Sequence, residues 1–213
     1  MKLFVFILEM IGTVAFAVSG AMTGMKKKMD IFGIIILGLT TAVGGGVLRD
    51  LILGITPPRT FRDPSFALSA IAVSAILFIP AVRHLFMKNH RLYDIVLFVM
   101  DSLGLGIFST SGVLIAYENG NGDNIFLLLF VGTLTGVGGG VIRDMLAGDT
   151  PYIFVKHIYA CASLFGAFLC WLVLYLGFAS ELSTIIGATA VVVVRFMSAK
   201  FKWNLPRCNE NID

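Results

Sequence analysis

Long apolar runs alternate with short polar connectors along almost the whole chain. A helix needs about 20 apolar residues to cross the roughly 30 Å of hydrocarbon in a bilayer, and each run approaches that length. The connectors hold lysine, arginine, proline and glycine, which are typical of the turns between spans. The pattern predicts seven membrane-spanning helices, over residues 3–24, 31–54, 65–83, 92–116, 124–147, 153–176 and 182–201.

A seven-residue motif lies within the second predicted span and returns within the fifth. The first copy, Gly44 to Asp50, reads GGGVLRD, and the second, Gly138 to Asp144, reads GGGVIRD. Further matches lie around both copies. They are Glu9 with Asp101, Gly20 with Gly112, Gly38 with Gly132, Thr41 with Thr135, and Thr56-Pro57 with Thr150-Pro151. The chain therefore contains an internal repeat.

Each copy of the repeat contains three predicted spans. A tandem copy of an odd number of spans enters the membrane from the opposite side, so the two copies are expected to be inverted. We predict an all-α integral membrane protein with seven transmembrane helices, arranged as two inverted three-helix repeats plus one extra C-terminal helix. The expected parts are 1–87 and 88–178 for the repeats, 179–203 for the seventh helix and 204–213 for a cytoplasmic tail.

Composition supports the membrane class. Hydrophobic residues make up 57% of the chain, charged residues 14%, and the mean hydropathy is +0.91, far from an average soluble domain. The net charge of +3 comes from short connectors and not from a long basic run, so nucleic acid is not an expected partner. The three cysteines have neither CxxC nor zinc-site spacing.

Lysine and arginine are distributed unequally between the two sides of the predicted helices. The side of the N-terminus carries Lys2, Arg59 and Arg62. The other side carries ten, namely Lys26, Lys27, Lys28, Arg83, Lys88, Arg91, Lys156, Lys200, Lys202 and Arg207. Because cytoplasmic loops are enriched in basic residues, we expect the N-terminus outside and the C-terminus in the cytoplasm.

The glycine triplets lie near the middle of the second and fifth predicted spans. Three glycines weaken a helix by roughly 1 kcal/mol each relative to alanine, so a kink or an unwound turn is expected there. Carbonyl groups freed at that depth must line a cavity or find protein partners, and carbonyls facing water are good cation ligands. The alternative is close helix packing, since Gly38, Ala42 and Gly45 lie near one face.

Each triplet is followed by an Arg-Asp pair, which is costly at membrane depth. Arg49 and Asp50 point about 100° apart on a helix, so each is expected to need another partner. Glu9 and Asp101 are the natural acidic partners of the arginines, or else acids that face a permeating ion. The alternative for the arginines is snorkelling to lipid headgroups, and for the two acids a hydrogen bond between helices.

Two short motifs resemble those of intramembrane aspartyl proteases, Tyr93-Asp94 and Gly120-Asn121-Gly122-Asp123. The second lies in a polar connector, whereas such a protease needs both carboxylates facing each other within the membrane. The histidines, His84, His90 and His157, lie near connectors and belong to no HExxH pattern. We therefore expect no enzyme and no catalytic residue.

The doubled motif, each copy closing an apolar helix and followed by Thr-Pro, resembles the bacterial branch of the trimeric intracellular cation (TRIC) channel family, also catalogued as a glycine-transporter-like domain. The resemblance covers residues 1 to about 203. It implies a homotrimer in the plasma membrane, with one pore per subunit between the two repeats. It also implies conduction of monovalent cations, chiefly potassium.

Carried onto this chain, the resemblance implies that the second and fifth helices bend at the triplets. The pore and hinge residues would be Gly44, Gly45, Gly46, Gly138, Gly139 and Gly140. The polar residues beside the pore would be Arg49, Asp50, Arg143 and Asp144. Glu9, Asp101, Thr41 and Thr135, which match between the two copies of the repeat, are further polar candidates beside the pore. No cofactor or metal is expected beyond permeating K⁺ or Na⁺, and membrane lipid is an expected partner. The lysine-glutamate-valine lipid-contact motif of animal members is absent, which leaves regulation by acidic lipids open.

Two other functions fit the same sequence. Inverted repeats and broken helices are equally typical of secondary transporters, so a carrier of glycine or another small amino acid is the main alternative. A third alternative is a membrane scaffold in which the buried charges are structural.

Overall fold

The computed structural model describes residues 2–155 and 158–203, and all regular structure in these ranges is helical. The predicted tail, 204–213, lies outside the described residues. The helices are α1 (Lys2–Lys26), α2 (Ile31–Ile52), α3 (Arg59–Arg62), α4 (Ser65–Phe78), α5 (Pro80–Lys88), α6 (His90–Ala116), α7 (Ile125–Leu146), α8 (Tyr152–Val155), α9 (Tyr159–Tyr175) and α10 (Ser180–Phe201). A π-helical turn, Tyr117–Asn121, follows α6 and contains two residues with non-helical backbone angles, Asn119 and Gly120.

Five helices in the described ranges, α1, α2, α6, α7 and α10, are long and apolar enough to cross a membrane. The bent pair of α4 and α5 would make a sixth span if it crosses as one unit. Helix α9 is apolar but has 17 residues. The protein is therefore a multi-pass, all-α membrane protein, although length and composition identify fewer spans than the seven predicted.

The third predicted span, 65–83, differs most from the structure. Helix α4 ends at Phe78, and α5 starts at Pro80 with a bend of 78° between them. Proline has no backbone N–H and disfavours the helical conformation of the residue before it. Ile79 accordingly has an extended ψ of 130°, so a single straight helix over this range is wrong.

The helices pack as two similar groups. Helices α1, α2 and α4 contact one another, as do α6, α7 and α9, while α2 crosses α7 and α1 contacts α6. Helix α10 packs on α9 and α6. At the centre the rings of Phe16 and Phe108 stack with centroids 5.4 Å apart. The α2–α7 contact joins the two groups at the middle of each helix.

The ends of α2 and α7 show the repeat in local structure. Asp30 caps α2 by accepting the backbone N–H of Gly33, and Asn124 caps α7 by accepting that of Leu127. Each helix ends in the same Schellman motif, in which a residue at positive φ, Gly54 or Gly148, follows the last turn. The backbone N–H of Ile55 then donates to the backbone carbonyl of Asp50, and the N–H of Asp149 donates to the carbonyl of Asp144.

Two faces are named from the direction of the helices. The N-terminal face holds the start of α1, the α2–α3 connector and the π-helical turn after α6. The C-terminal face holds the end of α10, the α1–α2 connector and the α7–α8 connector. The two copies of the Arg-Asp motif lie towards different faces, because α2 ends at the N-terminal face and α7 ends at the C-terminal face.

Candidate functional site

Four glycines of the two triplets, Gly44, Gly45, Gly138 and Gly139, lie in the contact between α2 and α7. A Cβ atom added at Gly45 would overlap the carbonyl oxygen of Thr135, and one added at Gly139 would overlap that of Thr41. At Gly44 an added Cβ would lie 2.6 Å from the side chain of Ile142. Small residues allow backbones to approach closely in membranes, so these glycines hold the two helices together through backbone contact.

The triplets are helical in this structure. Both lie inside uninterrupted α-helical segments, and the expected kink or unwound turn stays a prediction. The hydroxyls of Thr41 and Thr135 are fully buried and donate to the carbonyls of Leu37 and Val131, four residues earlier. These two threonines therefore lie in the helix contact, with their hydroxyls bonded to their own helices.

Arg49 lies in a buried ion-pair cluster towards the N-terminal face. Its Nη1 donates to Glu9 Oε1 at 2.7 Å, and its Nε donates to Asp50 Oδ1 at 2.8 Å. The hydroxyl of Ser111 also donates to Glu9, at 3.3 Å. The cluster thus joins α1 and α2 of the first group to α6 of the second. It contains two carboxylates and one guanidinium.

Arg143 lies in the corresponding cluster towards the C-terminal face. Its Nη1 donates to Asp101 Oδ1 at 2.6 Å, and its Nε donates to Asp144 Oδ1 at 2.8 Å. The same Nη1 donates to the hydroxyl of Ser19 on α1. The guanidinium carbon lies 4.8 Å from the centroid of the Tyr152 ring, which places the cation over an aromatic face.

The adjacent Arg-Asp residues do pair with each other, contrary to the expectation from their helical angle. Their Cβ atoms diverge, but the arginine side chain is long enough for Nε to reach the neighbouring carboxylate. The second aspartate oxygen binds the following connector. Asp50 Oδ2 accepts the backbone N–H of Arg59 at 2.7 Å, and Asp144 Oδ2 accepts that of Tyr152 at 2.8 Å. Each aspartate thus ties the start of a short helix to the preceding long one.

Burial excludes the snorkelling alternative for both arginines. Arg49 is 3% exposed and Arg143 is 0% exposed within a single chain. Their acidic partners are buried as well, at 7% for Glu9 and 1% for Asp101. Removing one partner of a buried pair leaves an uncompensated charge, so the clusters strongly constrain how the helices pack.

A charged cavity of about 430 Å³ opens on the N-terminal face and reaches Glu9. Its other polar lining residues are Arg59, Arg62, Asp63 and Glu118. Hydrogen bonds from the hydroxyl and the backbone N–H of Ser65 lower the pKa of the Asp63 carboxyl, which therefore stays ionised at the mouth. A narrower cavity of about 20 Å³ continues from Glu9 to Arg49 and Gly46.

A second cavity, of about 350 Å³, lies towards the C-terminal face. It is lined by Asp94, Asp101, Tyr152 and Arg195, together with apolar groups. Arg195 belongs to α10, is 3% exposed, and has its guanidinium carbon 4.8 Å from the centroid of the Tyr159 ring. The first cavity thus continues to Gly46 of α2, while the second reaches Asp101, the ion-pair partner of Arg143.

Sequence reasoning missed Arg195, Tyr152 and Tyr159 as members of the second cluster. Arg195 carried a usable signal, because an ionisable residue inside an apolar span is a functional candidate by default. The tyrosines carried none, since aromatic residues are common near the ends of membrane helices. Among the described residues, the predicted glycines and threonines lie near the α2–α7 contact, and the predicted charged residues lie in the two arginine clusters.

Comparisons with known proteins agree with this arrangement. A family model described as Glycine transporter matches residues 6–81 and 98–175. A solved structure described as a TRIC cation channel is 34% identical, with a TM-score of 0.84 over 97% of this chain and 98% of that chain. The chain belongs to the TRIC channel family. The resemblance inferred from the doubled motif is therefore confirmed.

Other similar proteins are matched over comparable shares of the chain. The TRIC channel orthologue from Rhodobacter sphaeroides is 30% identical, with a TM-score of 0.84 over 93% of this chain and 98% of that one. The inner membrane protein YadS of Escherichia coli K12, from the group named UPF0126, is 37% identical over 201 residues, covering 94% of this chain and 93% of YadS. A UPF0126 membrane protein of Deinococcus radiodurans is 36% identical over 203 residues, or 93% of this chain and 89% of that protein.

Proposed function

We propose that this protein is a potassium-permeable monovalent cation channel, with a conduit inside each subunit. The observation that carries the proposal is the pair of charged cavities, one on each face, of which the first continues to Gly46 and the second reaches Asp101 beside Arg143. In the cluster of Glu9, Arg49 and Asp50, carboxylates outnumber guanidinium groups, which favours cations over anions. Similarity to solved TRIC cation channels supports the same function.

We further propose that the chain crosses the membrane seven times as two inverted repeats, 1–87 and 88–178, followed by the helix of 179–203. The paired caps, the paired Schellman motifs and the two arginine clusters support the repeat. The match of the family model in two segments supports it as well. In this arrangement the bent α4–α5 pair and the α9 region are equivalent crossings.

Opening of the conduit would involve bending of α2 and α7 at their glycine triplets. Each triplet is helical here, but its three residues lack side chains and resist bending least. A bend would separate the Gly45–Thr135 and Gly139–Thr41 contacts and expose their carbonyl oxygens to the cavities. The polar residues of both clusters would then border a continuous path.

We place the protein in the plasma membrane with the N-terminal face outside and assign it a homotrimeric assembly. The excess of lysine and arginine on the C-terminal face supports this orientation. The trimer is proposed from membership of a family whose name describes trimeric channels. Each subunit would then conduct independently, since both clusters are complete within one chain.

Single-channel recording of the purified protein in planar bilayers tests the channel proposal. Under a potassium gradient we expect discrete current steps whose reversal potential follows the potassium gradient. Replacing Glu9 with glutamine should lower the potassium conductance severalfold, because it removes a charge at the base of the N-terminal cavity. Asp123→Asn, in the connector before α7, is the matched control and should leave conductance unchanged.

A negative result has a clear meaning if protein folding is checked in parallel. Absence of current steps from protein that elutes as a single species, combined with saturable uptake of labelled glycine into liposomes, would contradict the channel and establish a carrier. Steps that follow a chloride gradient would contradict cation selectivity.

A further inference from the structure

The two buried arginines differ in their access to the cavities. Arg49 itself lines the narrow cavity that continues from the N-terminal face. Arg143 is 0% exposed, and the ring of Tyr152 covers its guanidinium. Tyr152 and Asp101 both contact Arg143 and both line the cavity on the C-terminal face, so together they separate that cavity from the guanidinium. The path is therefore more tightly closed towards the C-terminal face.

Tyr152 is held in this position by its backbone. Its N–H donates to Asp144 Oδ2 at 2.8 Å, and its ring makes an edge contact with Tyr159 at 6.4 Å between centroids. The residues before it form the α7–α8 connector, which begins at Gly148 with a φ of +70°. Tyr152 is the first residue of α8, so its position depends on this short connector.

One ion pair ties that connector to the other half of the molecule. Lys27 Nζ, in the α1–α2 connector, lies 2.5 Å from Asp149 Oδ1, three residues before Tyr152. Both side chains are partly exposed, at 34% and 44%. The position equivalent to Asp149 in the first Schellman motif is Ile55, which cannot form an ion pair. The link therefore belongs to the C-terminal face alone.

We propose that the Lys27–Asp149 ion pair is a latch that holds Tyr152 over Arg143 and keeps the C-terminal end of the conduit closed. The inference rests on the proposed channel function. Releasing the latch frees the connector, and the Tyr152 ring then withdraws from Arg143 without breaking the buried Arg143–Asp101 pair. Lys27 and Asp149 act as positioning residues, since they act through Tyr152.

Channel recording with charge-neutral variants tests the latch. Lys27→Gln and Asp149→Asn should each raise the ratio of open to closed time by about two- to fivefold, as expected for a partly exposed ion pair. The exchanged double variant, Lys27→Asp with Asp149→Lys, should return the ratio towards that of the wild-type protein. Lys28→Gln is the matched control, because it removes the same charge one residue away.

Hydrogen–deuterium exchange gives a readout that does not depend on conduction. In Lys27→Gln, peptides that contain the Tyr152 N–H should exchange faster than in the wild-type protein. Peptides that contain the Arg59 N–H, which Asp50 holds in the first group, should be unchanged. The Arg59 N–H thus serves as an internal control for the Tyr152 N–H in the same sample.

The outcomes separate the latch from the channel proposal. Faster exchange at Tyr152 in a protein without current steps would support the link but contradict the channel. The latch would be overturned if Lys27→Gln left the exchange rate at the Tyr152 N–H unchanged and had the same ratio of open to closed time as Lys28→Gln. The latch would also be overturned if the double variant with exchanged charges did not restore the ratio of open to closed time, since an ion pair does not depend on which residue carries which charge.

Discussion

Gly45 shows why the triplets contain glycine. A methyl group at Gly45 would overlap the Thr135 carbonyl oxygen, and backbone atoms in a helix contact cannot move aside easily. We expect Gly45→Ala to lower the free energy of unfolding by about 1–3 kcal/mol through overpacking. Gly46→Ala should instead raise it by about 0.5–1 kcal/mol, because alanine favours helix and the nearest atom is 3.7 Å away.

Unfolding by sodium dodecyl sulfate in mixed micelles measures both glycine variants. If the triplet served helix flexibility alone, the two substitutions would have similar effects. Equal changes in stability would therefore contradict the packing role of Gly45.

The arginine clusters lead to a second prediction at the residue scale. Arg143→Met would leave Asp101 and Asp144 without their shared guanidinium in a fully buried site. We expect a loss of about 3–5 kcal/mol in the free energy of unfolding, the cost typical of breaking a buried pair. Arg49→Met should cost less, because Arg49 and Glu9 line a cavity that reaches the surface. An equal loss in the two variants would contradict the difference in access.

Helix ends are the informative features at the scale of elements. Gly54 and Gly148 end α2 and α7 with φ values of +69° and +70°, where a side chain is strained. We expect Gly148→Ala to lower the free energy of unfolding by about 1 kcal/mol, and Gly148→Asn by less, because asparagine tolerates this conformation. Thermal unfolding in detergent measures the difference. Equal stability of the wild-type protein and Gly148→Ala would contradict it.

The connectors after these helix ends are ordered by carboxylates. Asp50 and Asp144 each use one oxygen for the adjacent arginine and the other for a backbone N–H eight or nine residues later. The Arg-Asp motif therefore links the buried charge at the end of a long helix to the position of the following short helix. Movement of either connector would therefore shift the aspartate that pairs with the arginine.

Orientation in the membrane is the prediction that belongs to the whole molecule. In a variant whose own cysteines are replaced by serine, Asn121→Cys on the N-terminal face should react with a membrane-impermeant maleimide on intact cells. Lys28→Cys on the C-terminal face should react only after the membrane is permeabilised. The reversed pattern would contradict the orientation inferred from the basic connectors.

Much of the architecture was predictable because it depends on local pattern. Continuous apolar runs identify most spans, and the doubled motif identifies the repeat and the family. The bend at Pro80 was also visible in the sequence, since proline inside an apolar run ends or kinks a helix. It was missed because hydrophobicity continues through the break.

The sequence by itself determined the membrane class, most helix positions, the repeat and most of the residues that carry buried charge, because each depends on local hydrophobicity and residue type. Only the tertiary structure decided which charges pair and what the glycines do. Arg49 meets Glu9 across 40 positions, and Arg195 joins the second cluster from another helix. Such contacts depend on how each helix is rotated about its axis, and rotation depends on packing between helices that are distant in sequence, such as the backbone contacts between α2 and α7.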